Sequence, residues 1–168
     1  DLKQVNNFIP YQKFKMESLK NLNSLLQKGD FMVKIDLKDA YFTVPLNPES
    51  RKYVRFLWEG EVFEFLCLMF GLGPAPRIFT KLMKIPISML KKLKIRLIIY
   101  MDDMLIMASS LEEIAWARDT ILHLLEALGF VINYKKSILN PAQSIEFLGM
   151  IVDSMKMSLI IPTEKVEN

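Results

Sequence analysis

At 168 residues, half of them hydrophobic, the chain has the length and the apolar content to bury one substantial core. Charges interrupt every apolar run well short of the ~20 residues a membrane helix needs, and the polar start Asp1-Leu2-Lys3-Gln4 has no apolar segment behind it, so neither a spanning helix nor a secretory leader is expected. A net charge of +3 does not by itself mark a nucleic-acid binder, and the single cysteine, Cys67, allows no internal disulfide; an intracellular setting, cytoplasmic or nuclear, is expected.

Along the chain, Met16, Leu19, Leu22, Leu25 and Leu26 fall on one helical stripe that Gly29 would close. Phe31 to Ile35 reads as a strand ending at Asp36. Tyr53 to Trp58 and Val62 to Leu66 read as a hairpin around Glu59-Gly60. Beyond a turn rich in Gly and Pro (Gly71, Gly73, Pro74, Pro76), a helix is predicted from Arg77 towards Leu93, kinked or interrupted by Pro86. Two apolar runs, Leu97-Ile98-Ile99 and Met104 to Ala108, then flank Tyr100-Met101-Asp102-Asp103 and predict buried strands with the Asp pair at the hairpin tip. Ser110 with Glu113 forms a capping box for a second long helix, with Ile114, Ala117, Ile121, Leu124, Leu125 and Leu128 inward and Gly129 at its end. Short strands follow around Val131-Ile132, Ile145 to Val152 and Met157 to Ile161. This order predicts an α+β sandwich with two long helices on one face of an antiparallel sheet. The absence of an initial Met and a charged, helical-looking close at Thr163 to Asn168 read as a fragment of something longer.

Two adjacent carboxylates between buried strands repel each other and lose hydration, a situation a hard divalent cation relieves. An Asp-Asp dipeptide alone is more often a solvated hairpin tip than a metal site. Asp36 bears on the choice: it closes an apolar strand much as Asp102 does, and if the strands are neighbours all three acids meet at one end of the sheet. Such an oxygen-only site suits Mg²⁺, whereas one Cys and one His (His123, read as a structural residue) argue against zinc. Ions held by acids in a cleft serve in-line phosphoryl transfer. With no phosphate-binding Gly loop and no nucleophile elbow, the chemistry points to nucleotidyl transfer. The basic groups (Arg51, Lys52, Arg55; Lys81, Lys84; Lys91, Lys92, Lys94, Arg96; Lys135, Lys136) are solvated faces unless they line the same cleft.

Four blocks occur in order: Asp36 to Leu46 (DLKDAYFTVPL), Phe70 to Phe79 (FGLGPAPRIF), Tyr100 to Asp103, and Phe147-Leu148-Gly149. Together they resemble the fingers–palm region of reverse transcriptases, retroviral and of LTR- or DIRS-type retrotransposons, over nearly the whole chain. The resemblance implies an α+β polymerase palm, a ferredoxin-like antiparallel sheet with two helices on one face, plus part of the fingers. Residues 1–168 would form one reverse transcriptase segment of a polyprotein, with the first fingers strands before Asp1 and the thumb and RNase H beyond Asn168.

It further implies RNA-directed DNA polymerisation with two Mg²⁺ ions, Mn²⁺ substituting, on an RNA or DNA template with primer and deoxynucleoside triphosphates. Asp36 and Asp102 match the metal-holding acids, with the carbonyl of Leu37 as a further ligand and Asp103 in support. Asp39, Ala40 and Tyr41 match the floor of the nucleotide pocket, Tyr41 being the bulky gate against a ribose 2′-hydroxyl. Phe70-Gly71 matches the turn that packs on the nascent base pair; Phe at position 70, where retroviral enzymes usually carry Gln, leans towards retrotransposons. Pro76 and Arg77 open the template-facing helix. Tyr100 and Met101 belong to the motif at the primer terminus, and Phe147-Leu148-Gly149 resembles the primer grip. Lys136, or its neighbour Lys135, matches the lysine that protonates leaving pyrophosphate. Met69 departs from the Pro usual before the Phe-Gly turn. The rival expectations are a degenerate or domesticated copy that binds nucleic acid without polymerising, and another palm-type nucleotidyl transferase.

Overall fold

In the computed structural model residues 1–162 are described; the stretch Thr163 to Asn168, read above as helical, lies outside them. A short helix α1 (Lys3–Phe8) opens the chain. Helix α2 (Leu19–Leu25) is shorter than its apolar stripe, because the Asn21 side chain accepts from the Ser18 N–H at 2.9 Å and closes the helix start there. Gly29 does not cap it; with φ +82° it turns the chain into β1 (Phe31–Lys38). A 3₁₀ turn (Ala40–Thr43), α3 (Pro48–Arg51) and the hairpin β2 (Arg55–Trp58) and β3 (Glu61–Glu64) follow, the last turning at Glu59-Gly60 as expected. Both turn residues have positive φ, which matches the right-handed twist of the strands.

Helix α4 (Ala75–Lys92) runs through Pro86 without interruption. Proline removes one helix hydrogen bond, but Ala75, Phe79, Met83, Ile87 and Leu90 form a buried stripe on both sides of it. Strands β4 (Arg96–Tyr100) and β5 (Asp103–Ala108) lead to α5 (Leu111–Ala127). Ser110 Oγ accepts from the Glu113 N–H at 3.1 Å, while the Glu113 carboxylate returns to Ser109 Oγ at 2.7 Å. Leu128 lies just past the helix end and is exposed, and Leu124 is only half-buried, so neither packs inward as its periodicity suggested. His123 is exposed, not a packed structural residue.

Strands β6 (Val131–Ile132), β7 (Ile138–Ala142), β8 (Ser144–Phe147), β9 (Met150–Asp153) and β10 (Ser158–Ile160) are the last elements among the described residues. The sequence hides β7 behind Pro141. The stretch Ile145 to Val152 is not one strand but a hairpin that turns at Leu148-Gly149, both with positive φ.

Two compact units result, Asp1–Lys15 with Asp39–Lys84, and Met16–Lys38 with Ile85–Asn168. The first holds the β2–β3 ribbon, a bridge between Pro45 and Cys67, and an aromatic cluster in which Tyr41 meets Phe70 and Phe79. In the second, antiparallel strands take the order β4-β5-β1-β6, β7 also pairs with β1, and β10-β9-β8 form a separate three-stranded sheet. Helix α5 covers one face of the larger sheet. On the opposite face Met32, Ile98, Leu105 and Met107 pack with Leu22 and Leu26 of α2 and with Ile145, Phe147 and Val152. Each such fully buried side chain stabilises the fold by roughly 1.5–3 kcal/mol.

Candidate active site

Strand β1 does not stop at Asp36; Leu37 and Lys38 go on to pair with Ile132 and Val131 of β6. Asp36 therefore sits within a ladder, directly opposite Asp103 of β5. The two carboxylates lie on the same sheet face by register, as do Lys34 and Tyr100. Because Tyr100 pairs with Asp103, the loop between β4 and β5 is only Met101-Asp102. Met101 carries φ +57°, a conformation that favours glycine at the first position of such a turn and costs a side-chain-bearing residue on the order of 1–3 kcal/mol. The Asp pair is thus split: Asp102 is at the tip, Asp103 in the strand. The Leu37 N–H donates to the Asp102 carbonyl at 2.9 Å and ties the tip back to β1.

Asp36 is buried, and its backbone is held on both sides. Its N–H donates to Ser137 Oγ at 3.0 Å, and its carbonyl accepts from the Asn133 N–H at 2.8 Å. Ser137 Oγ donates in turn to the Asn133 carbonyl at 2.8 Å. The turn from Asn133 to Ser137 carries Lys136, whose charge acts on Asp102. Burial raises the Asp102 carboxyl above its ordinary value most strongly; the like charge of Asp36 adds to this, while its own backbone N–H, Lys136 and Lys34 oppose it. Burial likewise raises Asp103; Lys34 opposes, and Asp102 and Asp36 add as like charges.

Lys34 Nζ stands 3.6 Å from Asp103 Oδ1, and that buried oxygen accepts no hydrogen bond. An all-oxygen donor set with an orphaned carboxylate oxygen fits a hard divalent cation. Among the described residues no three His, Cys, Asp or Glu side chains are gathered into a ready cage; an ion that keeps water and phosphate as ligands needs only one or two carboxylates.

The remaining expected residues fall into two groups. In the unit that holds Asp39 to Lys84, Asp39 adopts φ +50° and starts the 3₁₀ turn that contains Ala40 and buried Tyr41. The Tyr41 ring lies 4.8 Å from Phe70 and 5.6 Å from Phe79. Phe70 is exposed, Gly71 has φ +87°, and Pro76 and Arg77 stand in the first turn of α4. Met69, the departure before the Phe-Gly turn, is buried. In the other unit Tyr100 and Leu148 both pack against the core, and Leu148-Gly149 form the β8–β9 turn. Phe147 is fully buried, so its ring anchors that hairpin and only the turn beyond it is presented.

Sequence reasoning did not single out Lys34, Asn133 or Ser137. Lys34 could have been found: two residues before Asp36 in a strand, it must share its face. Nothing local marks Asn133 or Ser137, about a hundred residues from the backbone they hold.

An antiparallel sheet with carboxylates on two neighbouring strands, backed by α5, has the architecture of a polymerase palm, and solved structures bear this out. The foamy viral protease-reverse transcriptase in complex with an RNA/DNA hybrid aligns with 100% of this chain and 22% of its own at a TM-score of 0.84 and 23% identity. The fold is therefore α+β, a palm with part of the fingers. Residues 1–152 match the reverse transcriptase (RNA-dependent DNA polymerase) family, and the chain belongs to it. Among curated relatives, the genome polyprotein of Petunia vein clearing virus is 29% identical over 146 residues, 87% of this chain and 6% of the polyprotein. An uncharacterized protein of Caenorhabditis elegans is 34% identical over 124 residues, 74% of this chain and 9% of its own length. The chain thus spans less than a tenth of either relative.

Proposed function

We propose that this chain is the palm and part of the fingers of an RNA-directed DNA polymerase within a retroelement polyprotein. It adds deoxynucleotides to a primer 3′-hydroxyl along an RNA or DNA template. The observation that carries this reading is the register of β1 on β5, with Asp36 opposite Asp103 and Asp102 on the two-residue loop beside them. Residues 1–15 and 39–84 act as fingers and the rest as palm, while other parts of the polyprotein supply the first fingers strands, the thumb and RNase H.

Asp36, Asp102 and the Leu37 carbonyl would hold two Mg²⁺ ions, or Mn²⁺ in their place, with Asp103 in support. When bound, such ions lower the pKa of an attacking hydroxyl and neutralise charge on the leaving pyrophosphate. The protein's own groups do the rest. Tyr41, packed against Phe70 and Phe79, leaves no room for a 2′-oxygen, and Asp39, Ala40 and Gly71 complete the nucleotide pocket. Pro76 and Arg77 meet the template. Tyr100, Met101, Leu148 and Gly149 hold the primer end over the anchor of Phe147. Lys136 gives its proton to the departing pyrophosphate. Among the described residues no helix is long and apolar enough to cross a membrane; an intracellular setting, cytoplasmic or nuclear, follows from this reading.

The test is Mg²⁺-dependent primer extension on an RNA template by the longer polypeptide that contains this chain. Asp102→Asn should abolish extension while the thermal melt is kept or raised. Full activity in that variant would overturn the assignment, and a wild-type protein that binds primer–template without extending it would favour the non-polymerising copy.

A further inference from the structure

One side chain braces the turn that carries Phe70. Asn6 of α1 donates from Nδ2 to the Gly71 carbonyl at 2.8 Å, and its Oδ1 accepts from the Gly73 N–H at 2.7 Å. A carboxamide is the side-chain group of this size that presents a donor and an acceptor side by side, so Asn6 matches both unpaired edges of the turn at once. Asn6 is itself fixed in α1, where its N–H donates to the Leu2 carbonyl at 2.9 Å and its carbonyl accepts from the Ile9 N–H at 3.2 Å. The turn closes tightly on it: a Cβ added at Gly73 would stand 3.2 Å from Asn6 Oδ1, and Gly71 has φ +87°.

Phe70 needs such a brace. Its side chain is exposed at 62%, so burial does not hold it in place. Yet its ring lies 4.8 Å from Tyr41 and 6.1 Å from Phe42. An exposed ring at one end of an aromatic contact is positioned by the backbone beneath it. Here that backbone is the stretch whose next carbonyl and whose amide at Gly73 are both taken by Asn6.

We propose that Asn6 is a positioning residue for nucleotide selection: by bracing Gly71 and Gly73 it sets Phe70 against Tyr41, and so sets how strictly the pocket rejects a ribose 2′-hydroxyl. The proposal rests on the polymerase reading above. Asn6 touches no reacting atom; it acts through Phe70.

The experiment is steady-state primer extension by the longer polypeptide that contains this chain, as wild type, Asn6→Ala and Asn6→Asp. The kcat and KM are measured for one deoxynucleotide and for its ribonucleotide counterpart. Asn6→Ala loses both hydrogen bonds and should raise the deoxynucleotide KM and lower the deoxy-to-ribo selectivity on the order of tenfold, the scale of one to two lost hydrogen bonds. Asn6→Asp keeps an acceptor for Gly73 but sets a carboxylate oxygen against the Gly71 carbonyl in place of the donor, and should lower selectivity at least as far as Asn6→Ala. Selectivity is a ratio measured on one preparation, so a smaller folded fraction cancels from it. An active wild type with unchanged selectivity in Asn6→Ala, or kcat falling equally for both nucleotides at constant KM, would overturn the proposal. A wild type that extends nothing with either nucleotide would instead overturn the polymerase reading, and the proposal with it.

Discussion

Replacing Arg96 with Met should loosen the entry to the strand that carries Asp36. Asp30, immediately before β1, is 1% exposed and binds Arg96 in fork-to-fork fashion at 2.6 and 2.7 Å. The same carboxylate accepts from the Gln27 N–H at 2.7 Å, and Arg96 also donates to the Leu25 carbonyl at 2.8 Å. Ser154, fully buried, donates to the Asp30 carbonyl at 2.6 Å and joins the end of β9 to the same point. Methionine keeps the stem of Arg96 but leaves the Asp30 carboxylate enclosed with one donor. Stranding one partner of a buried pair costs about 3–5 kcal/mol. The Arg96 side chain is 23% exposed, so water softens the loss, and about 2–4 kcal/mol is expected. At about 2–4 °C per kcal/mol for a chain of this size, the melting temperature should fall by roughly 5–15 °C. Urea unfolding followed by circular dichroism measures the loss directly. Asp30→Asn combined with Arg96→Met should recover part of it, since the stranded charge rather than the missing contact dominates. A single variant that loses less than about 1 kcal/mol, or a double variant less stable than the single, would refute this reasoning.

Three further outcomes follow from the site residues. Asp102 and Asp103 are both raised, by burial first, so between the unfolded value of 3.8 and their folded values the native state holds more protons than the unfolded chain. Their contribution therefore favours the fold at low pH and is lost as pH rises through the folded values; Asp103→Asn should flatten the fall in melting temperature across the weakly acidic range, and Mg²⁺ at neutral pH should raise the melting temperature of wild type more than that of Asp102→Asn. An equal Mg²⁺ response in the two proteins would remove the metal from this site. Tyr41→Val takes the ring from between Phe70 and Phe79, and ribonucleotide incorporation, scored as alkali-sensitive product, should rise on the order of tenfold or more.

How far the sequence reaches can be judged residue by residue. Buried strands such as Met104 to Ala108 announce themselves because no polar alternation interrupts them, and Gly60 marks the turn at Glu59-Gly60; the turn at Leu148-Gly149, with a positive φ at a leucine, is hidden inside a stretch that reads as strand. Elements decided at long range are silent. Lys38 continues β1 only because β6 lies beside it, Pro86 is carried by a buried stripe on both sides, and β7 forms around a proline that a local reading takes as a break. The support of the acids is equally non-local: Ser137 and Asn133 hold Asp36 across about a hundred residues.

The same distinction separates the two adjacent aspartates. As a dipeptide they are equivalent, and nothing in their immediate neighbours ranks them. Pairing of Tyr100 with Asp103 leaves room for only two loop residues, which draws Asp103 into the ladder opposite Asp36 and sends Asp102 to the tip. The positive φ at Met101 is the local strain of making so short a loop without glycine. Asp103 then faces Lys34 with one oxygen that no donor satisfies, whereas Asp102 has its own backbone N–H and the charge of Lys136. A cation arriving at this edge of the sheet would meet a loop-tip acid and a ladder-held acid, not two copies of one ligand. The loop length, rather than the acid pair itself, sets which aspartate can reach outward and which must stay.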